Sequence, residues 1–288
     1  MDVNITNTWQ FYLIGYIILV VLFNQFYKLA VRHAKRDGAA TVLLQTIGGL
    51  SILVLTPLFA IKFPTDWKVY ALLALACIFY ALNDRIQTTV RKNLDVSVYT
   101  ILNRLSSVFL IIFGLTIFKE PIVAGKIIGA ILILLANIIL RFSRKKIVFN
   151  KYIAFAALSN LALAIALSID VNISSDFNLP IYIMFTLILP AAMVKLTEKI
   201  PFKDIRTEFS SADKKYYFIT GILWGLLIVF MIRAYQLSSF SLITPLAATS
   251  VLINVLIATL FFGEKQDILK KIIAALISVV GVYFTVLK

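Results

Sequence analysis

The feature that most constrains this chain is a succession of ten apolar stretches. A helix needs about 20 apolar residues to cross roughly 30 Å of hydrocarbon, and each stretch is about that long. Their centres lie near Leu19, Ile52, Ala76, Phe109, Leu132, Leu161, Ile188, Ile228, Leu256 and Val279. The runs are continuous rather than alternating, which favours helices, because a helix satisfies its backbone hydrogen bonds internally. We therefore predict an all-α polytopic membrane protein with ten transmembrane helices.

The chain also repeats itself at a spacing of 144 residues, since the segment from Val96 to Phe142 aligns without a gap on the segment that begins at Phe240. Any two apolar helices share some identical residues by chance, so the evidence for a repeat is the set of identical polar residues. These are Ser97 with Ser241, Thr100 with Thr244, Ser106 with Ser250, Glu120 with Glu264 and Lys126 with Lys270. We predict two five-helix repeats, 1–146 and 147–288. They would be inverted relative to each other, because each contains an odd number of spans.

Composition argues against several functions. With 61% apolar and only 15% charged residues, the chain cannot form a soluble surface. A single histidine, His33, and a single cysteine, Cys77, cannot build a metal site or an intrachain disulfide, so we expect no metal and no cofactor. The sequence has no catalytic motif of a membrane enzyme and no ATP-binding loop. The first apolar stretch lacks a basic start and a cleavage site, so we expect it to be retained.

The basic residues predict a topology. Of the 28 lysines and arginines, 20 lie in the connections that follow odd-numbered stretches. The positive-inside rule places these connections in the cytoplasm and both termini outside. Basic loops beside anionic lipid explain the net charge of +14 without a nucleic-acid partner. We expect a monomer or homodimer in the cytoplasmic (inner) membrane of a prokaryote.

The main candidate site lies where the third and fourth stretches approach one membrane face, at Asn83, Asp84, Asn103 and Arg104. A charge within a span costs at least about 2.5 to 3.5 kcal/mol unless it is paired or wetted. We predict that Asp84 and Arg104 pair across a central cavity and that Arg104 contacts an anionic or zwitterionic substrate. The alternative is a structural ion pair that fixes helix register.

Other polar and aromatic side chains in the stretches complete the predicted substrate-binding set. They are Asn24, Gln25, Tyr80, Trp224, Tyr235 and Asn254. Amide side chains within a span either form hydrogen bonds to neighbouring helices or line a water-filled path. Aromatic rings stack on a substrate, lie in the interfacial belt of the membrane or fill packing contacts between helices, and we favour the belt or packing. We expect Glu120, which precedes the fifth stretch, to cap the N-terminus of that helix.

These residues resemble the drug/metabolite transporter superfamily and its EamA-type members. The resemblance covers almost the whole chain and rests on two five-helix halves, each with a glutamate after its fourth span, Glu120 and Glu264. The best local matches are residues 235–264 and 117–140, and LFNQFYKLA in the first span looks like the family's asparagine-aromatic-lysine region. Two features depart from the family. Arg104 replaces a small or apolar residue, and the charge bias places both termini outside, whereas family members are expected to keep them in the cytoplasm.

The resemblance implies a secondary transporter, in many members an exporter, with a central cavity between the halves. We therefore expect export of small polar metabolites, such as amino acids or related compounds, by alternating access. The alternative is a flippase for a lipid-linked or amphiphilic molecule, because the same fold could admit an amphiphile through a side opening. A non-transporting assembly subunit would instead carry its polar residues at an exposed interface.

Overall fold

The computed structural model describes residues 8–31, 33–93, 102, 105–141, 151–210, 214–250, 253 and 268–286. All regular structure within these ranges is helical. The helices are α1 (Trp9–Val31), α2 (Asp37–Ser51), α3 (Trp67–Asn93), α4 (Leu105–Thr116), α5 (Ala124–Arg141), α6 (Lys151–Ile173), α7 (Leu179–Thr197), α8 (Phe202–Phe209), α9 (Lys214–Leu237), α10 (Phe240–Ala248) and α11 (Ile268–Val286). Two 3₁₀ segments, Ile52–Leu58 and Ser174–Asp176, extend α2 and α6.

Six of these helices are long and apolar enough to cross a membrane: α1, α2 with its 3₁₀ extension, α3, α6, α7 and α9. Several apolar helices of this length indicate a membrane protein. Of the other four predicted spans, the fourth, fifth and tenth fall on α4, α5 and α11, which are not among these six. The ninth, centred near Leu256, lies mostly outside the described residues, and α10 covers only its start. The all-helical fold class is thus confirmed over the described residues, whereas the number of ten spans stays a prediction.

Most of the helix contacts join a helix from residues 1–146 to a helix from residues 147–288. Helix α1 packs on α9, α3 on α6, and α2 on both α7 and α9. Helix α3 also contacts α7, α4 contacts α6 and α10, and α5 contacts α10 and α11. A large cluster of buried side chains lies where α1, α2, α7 and α9 meet, and it includes Tyr182, Tyr217 and Ile232. Each half therefore buries its apolar surface on the other.

Connections between helices meet at two ends of the bundle. Before α2, Arg36 is ion-paired with Asp204 of α8 at 2.7 Å. Beyond the other end of α2, Asn178 Nδ2 donates to the carbonyl oxygens of Thr56 and Phe59 at 3.2 and 3.0 Å. Because α2 runs between these contacts, they mark opposite ends. We term the end that contains Arg36 and α8 the basic end, because its described connections hold Lys35, Arg36, Lys199, Lys203 and Arg206.

Two glycines allow α2 and α9 to approach closely. A Cβ atom at Gly225 would lie 2.8 Å from the carbonyl oxygen of Gly48, and one at Gly48 would lie 2.9 Å from that of Gly221. The obstructing atoms belong to the backbone, so no side-chain rotation relieves the clash. Small residues at such contacts are typical of helix packing in membranes.

We predict that Gly225→Leu forces α2 and α9 apart and lowers the free energy of unfolding by about 1–3 kcal/mol, the usual cost of overpacking. Thermal unfolding of the purified protein in detergent should show a lower midpoint. Ile222→Leu, at an exposed position of the same helix, is the matched control and should leave the midpoint unchanged. Equal midpoints for both variants would contradict the close approach.

Candidate functional site

A buried polar cluster joins α2, α3 and α6. Asp84 accepts hydrogen bonds from Gln45 Nε2 at 2.6 Å and from Asn83 Nδ2 at 2.7 Å. The hydroxyl of Ser159 donates to Asn83 Oδ1 at 2.8 Å. All four side chains are buried. We term Gln45, Asn83, Asp84 and Ser159 the Asp84 cluster; it brings both predicted Asn83 and Asp84 to the interior of the bundle.

The sequence places these groups on one face of α3. Buried polar and tyrosine side chains recur along the helix at three- and four-residue spacings, and residues so spaced share a face. They are Tyr80, Asn83, Asp84, Gln87 and Thr88. The opposite side of α3 carries exposed Leu75, Ile78 and Leu82. In a bilayer that apolar side faces lipid, so the polar face must turn inward.

Two buried amide oxygens lack a hydrogen-bond donor within the described part of the chain. One is Gln45 Oε1, in the Asp84 cluster, and the other is Asn160 Oδ1, on the residue that follows Ser159. A buried acceptor without a donor costs about 1–3 kcal/mol. A molecule that supplies N–H or O–H donors would remove that cost, so this region has unused capacity to bind a polar ligand or water.

A second buried cluster centres on a carboxylate that the sequence analysis did not include in the site. Asp170 of α6 is 0% exposed, and both of its oxygens accept hydrogen bonds at 2.5 Å, one from the Tyr80 hydroxyl and one from the Tyr182 hydroxyl. No cation pairs with Asp170 in the described part of the chain. Its two oxygens therefore depend on neutral hydroxyl donors from α3 and α7.

The position of Tyr80 fits the packing interpretation of the sequence. It is buried between helices, and its hydroxyl donates to Asp170. The signal that could have identified this group is an isolated acid near the end of an apolar stretch, since ionisable residues in spans are rare and tend to be functional.

The predicted aromatic residues of α9 have packing contacts. The Trp224 ring lies 5.6 Å from the Phe23 ring and so fills the contact between α1 and α9. The Tyr235 ring lies 4.7 Å from the Phe240 ring, and its hydroxyl is 3.2 Å from the hydroxyl oxygen of Thr244. Neither residue contacts the Asp84 cluster through a hydrogen bond that the structure describes.

The remaining predicted residues fall into two groups. On α1, Asn24 is half-buried and Gln25 is exposed, so Gln25 faces away from the interior of the bundle. Asn103, Arg104 and Asn254 lie outside the described residues. The ion pair between Asp84 and Arg104 therefore stays a prediction.

Arg85, which follows Asp84 in α3, extends to the basic end. Its Nε donates to Glu198 Oε1, just beyond α7, and its Nη1 lies 2.6 Å from Thr89 Oγ1. About a third of the Arg85 side chain is exposed, at 32%, which is typical of a group at a membrane boundary. Paired and partly wetted, this charge avoids most of the cost of burial in hydrocarbon.

Glu120 caps the N-terminus of α10, which corrects our expectation that it caps the helix following it. Its carboxylate oxygens accept from the backbone N–H groups of Phe240 and Ser241 at 2.8 and 3.0 Å. The preceding connection turns back on itself, with Lys119 at φ 50°, and this turn directs Glu120 toward α10 rather than α5. The cap ties the α4–α5 connection to the α9–α10 connection.

We predict that Glu120→Ala lowers the free energy of unfolding by about 0.5–2 kcal/mol, because two N–H groups lose their acceptor at the positive end of the α10 dipole. Differential scanning fluorimetry in detergent measures the change. Glu120→Gln keeps one acceptor oxygen and should recover part of the loss. A Glu120→Ala midpoint equal to that of the parent would show that the cap contributes nothing.

Comparisons with known proteins define the fold but not an activity. No family model matches the chain, and no curated protein matches it. A solved crystal structure of a protein superposes with a TM-score of 0.76 at 14% sequence identity, over 96% of this chain and 95% of its own. At this identity the likeness establishes the fold alone. The helical arrangement is therefore one that a solved protein adopts over nearly its full length.

Proposed function

We propose that this chain is a secondary transporter of the drug/metabolite transporter superfamily that exports small polar metabolites, such as amino acids or related compounds. The observation that carries the proposal is the Asp84 cluster, a carboxylate held by amides inside a bundle of apolar helices. Buried ionisable residues in membrane helices mark substrate or ion routes. The unsatisfied oxygens of Gln45 and Asn160 add capacity for a ligand with N–H or O–H donors.

Helix contacts support an inverted repeat with a site between its halves. If each span of 1–146 is exchanged for its counterpart in 147–288, the α1–α9 contact becomes α6–α3, and α2–α9 becomes α7–α3. Both members of each pair are present. The contacts α2–α7 and α5–α11 map onto themselves, and they are present too. A pseudo-two-fold axis through the bundle produces this pattern and is typical of transporters whose site lies at the repeat interface.

Alternating access requires each end of the bundle to open in turn. At the basic end, the closing side-chain contacts include two partly exposed ion pairs, Arg36–Asp204 and Arg85–Glu198. Exposed ion pairs contribute about 0–1 kcal/mol each, so these two resist opening only weakly. In this proposal the basic end faces the cytoplasm, as the positive-inside rule requires, and a rocking motion of one half against the other separates these pairs.

The test is untargeted metabolite profiling of cytosol and medium from cells that express the chain, beside cells with an empty vector. We expect at least one small polar solute to leave the cytosol and accumulate in the medium. No shift in any polar solute, together with an altered lipid extract, would overturn the proposal and favour a flippase. No change in either fraction would favour a non-transporting subunit.

A further inference from the structure

The short helix α8 carries three separate stripes of side chains. At 100° per residue, each stripe occupies its own face of the helix. The basic and hydroxyl stripe holds Lys203, Arg206, Thr207 and, at the C-cap, Ser210; the acidic stripe holds Asp204 and Glu208; the apolar stripe holds Phe202, Ile205 and Phe209. Such a division predicts a helix that lies in a membrane–water interface, with different neighbours for each face.

The acidic stripe faces the protein. Asp204 pairs with the Arg36 guanidinium at 2.7 Å. Glu208 is 3% exposed; one carboxylate oxygen accepts from the backbone N–H groups of Lys35 and Arg36 at 2.8 and 3.1 Å, and the other accepts from the Tyr217 hydroxyl at 3.2 Å. These bonds fix the rotation of α8 about its axis. The basic stripe is consequently directed away from the acidic partners on its own helix.

An open pocket of about 420 Å³ lies between this basic stripe and the connection before α2. It is lined by His33, Lys35, Lys203, Arg206, Thr207, Glu208 and Ser210. None of the four basic side chains forms an ion pair in the described part of the chain. The Glu208 carboxylate is buried and already accepts three hydrogen bonds. The exposed lining of the pocket is therefore positively charged.

The pocket lies at the level of the membrane surface. Helix α8 joins the end of α7 to the start of α9, and both are helices that can span a bilayer. Two apolar side chains at this end of the bundle are exposed: Leu196, near the end of α7, at 72% and Phe202, which precedes Lys203, at 76%. The Lys195 ammonium lies 3.8 Å from the centre of the Phe202 ring, so a cation and an exposed aromatic ring adjoin. A ligand that is anionic at one end and apolar at the other matches these neighbours.

We propose that this pocket binds the phosphate headgroup of an anionic phospholipid from the same leaflet. Lys35, Lys203 and Arg206 neutralise the phosphate, and the acyl chains lie along Phe202 and Leu196. A phosphate there bridges Lys35, before α2, to the basic stripe of α8, and so strengthens closure of the basic end. Free inorganic phosphate offers the same charge without the acyl chains.

The test measures thermal midpoints of the purified full-length protein in detergent with increasing phosphatidylglycerol, phosphatidylcholine or inorganic phosphate. We expect phosphatidylglycerol to raise the midpoint and the other two to leave it unchanged. Each lysine or arginine near an anionic lipid surface strengthens binding about fivefold. Arg206→Gln should therefore raise the half-saturating lipid fraction about fivefold, and Lys35→Gln/Lys203→Gln/Arg206→Gln about 100-fold.

The matched control removes three exposed lysines from the opposite end of the bundle, Lys62→Gln/Lys68→Gln/Lys119→Gln, with the same change in net charge. It should respond to phosphatidylglycerol as the parent does. An equal loss of response in both triple variants would overturn the proposed pocket in favour of general charge attraction. An undiminished response in the pocket variants would overturn it as well. A midpoint raised equally by inorganic phosphate would overturn the assignment to lipid.

Discussion

Asp84→Ala is expected to reduce export about 100-fold, so that the solute which leaves cells expressing the parent chain stays in the cytosol. Asp84 accepts hydrogen bonds from Gln45 and Asn83, and its removal deprives both buried amides of an acceptor. It also removes the carboxylate that the proposed function places beside the ligand. Loss of one member of a buried, hydrogen-bonded charged contact costs about 2–5 kcal/mol. Metabolite profiling at matched expression measures the effect.

Two further variants make this result interpretable. Asp84→Asn keeps the shape and one acceptor oxygen, so export that survives in this variant alone would assign Asp84 a hydrogen-bonding role rather than a charge role. Asp66→Asn removes an exposed carboxylate from the α2–α3 connection and should export as the parent does. Export at the parent rate by Asp84→Ala would show that the Asp84 cluster is not the site.

Asp170→Ala is expected to lower the free energy of unfolding by about 2–6 kcal/mol, one of the largest losses of any single substitution in the described part of the chain. The Tyr80 and Tyr182 hydroxyls would both lose their acceptor at buried positions. Each unsatisfied buried hydroxyl costs about 1–3 kcal/mol. Thermal unfolding in detergent should show a strongly lowered midpoint, and a midpoint near that of the parent would contradict the contacts.

Removal of all three polar groups together separates stability from function. In Tyr80→Phe/Asp170→Leu/Tyr182→Phe, no hydroxyl is left unsatisfied, so most of the lost stability should return. If this variant folds but does not export, Asp170 has a role in transport beyond holding α3, α6 and α7 together. If it folds and exports at the parent rate, the contact of Asp170 with Tyr80 and Tyr182 is structural only.

The all-helical class was predictable from the sequence, because few backbone structures can satisfy their hydrogen bonds inside a bilayer. Each long apolar stretch must satisfy its own backbone, so the helices fall where the stretches do, as α3 and α7 show. The sequence did not predict α8, because eight residues with charges on two faces give no long apolar run. A hydropathy pattern also does not contain tertiary contacts, such as the Glu120 cap at the start of α10.

The candidate site was predictable only in part. Asn83 and Asp84 were identifiable because polar groups in an apolar stretch must find partners inside the bundle. The contact from Tyr80 to Asp170 joins residues 90 positions apart, and no local pattern predicts it. For Trp224 and Tyr235, aromatic character indicates burial but not direction, so a ring that fills a helix contact looks the same in sequence as one that stacks on a ligand.

Reconstitution of the purified chain into liposomes tests the central claim most directly. The solute identified by profiling is loaded on one side, and its appearance on the other is timed against protein-free and Asp84→Ala liposomes. We expect flux with the parent chain alone. Equal rates in all three preparations would contradict the account, because they would show that the chain itself does not move the solute.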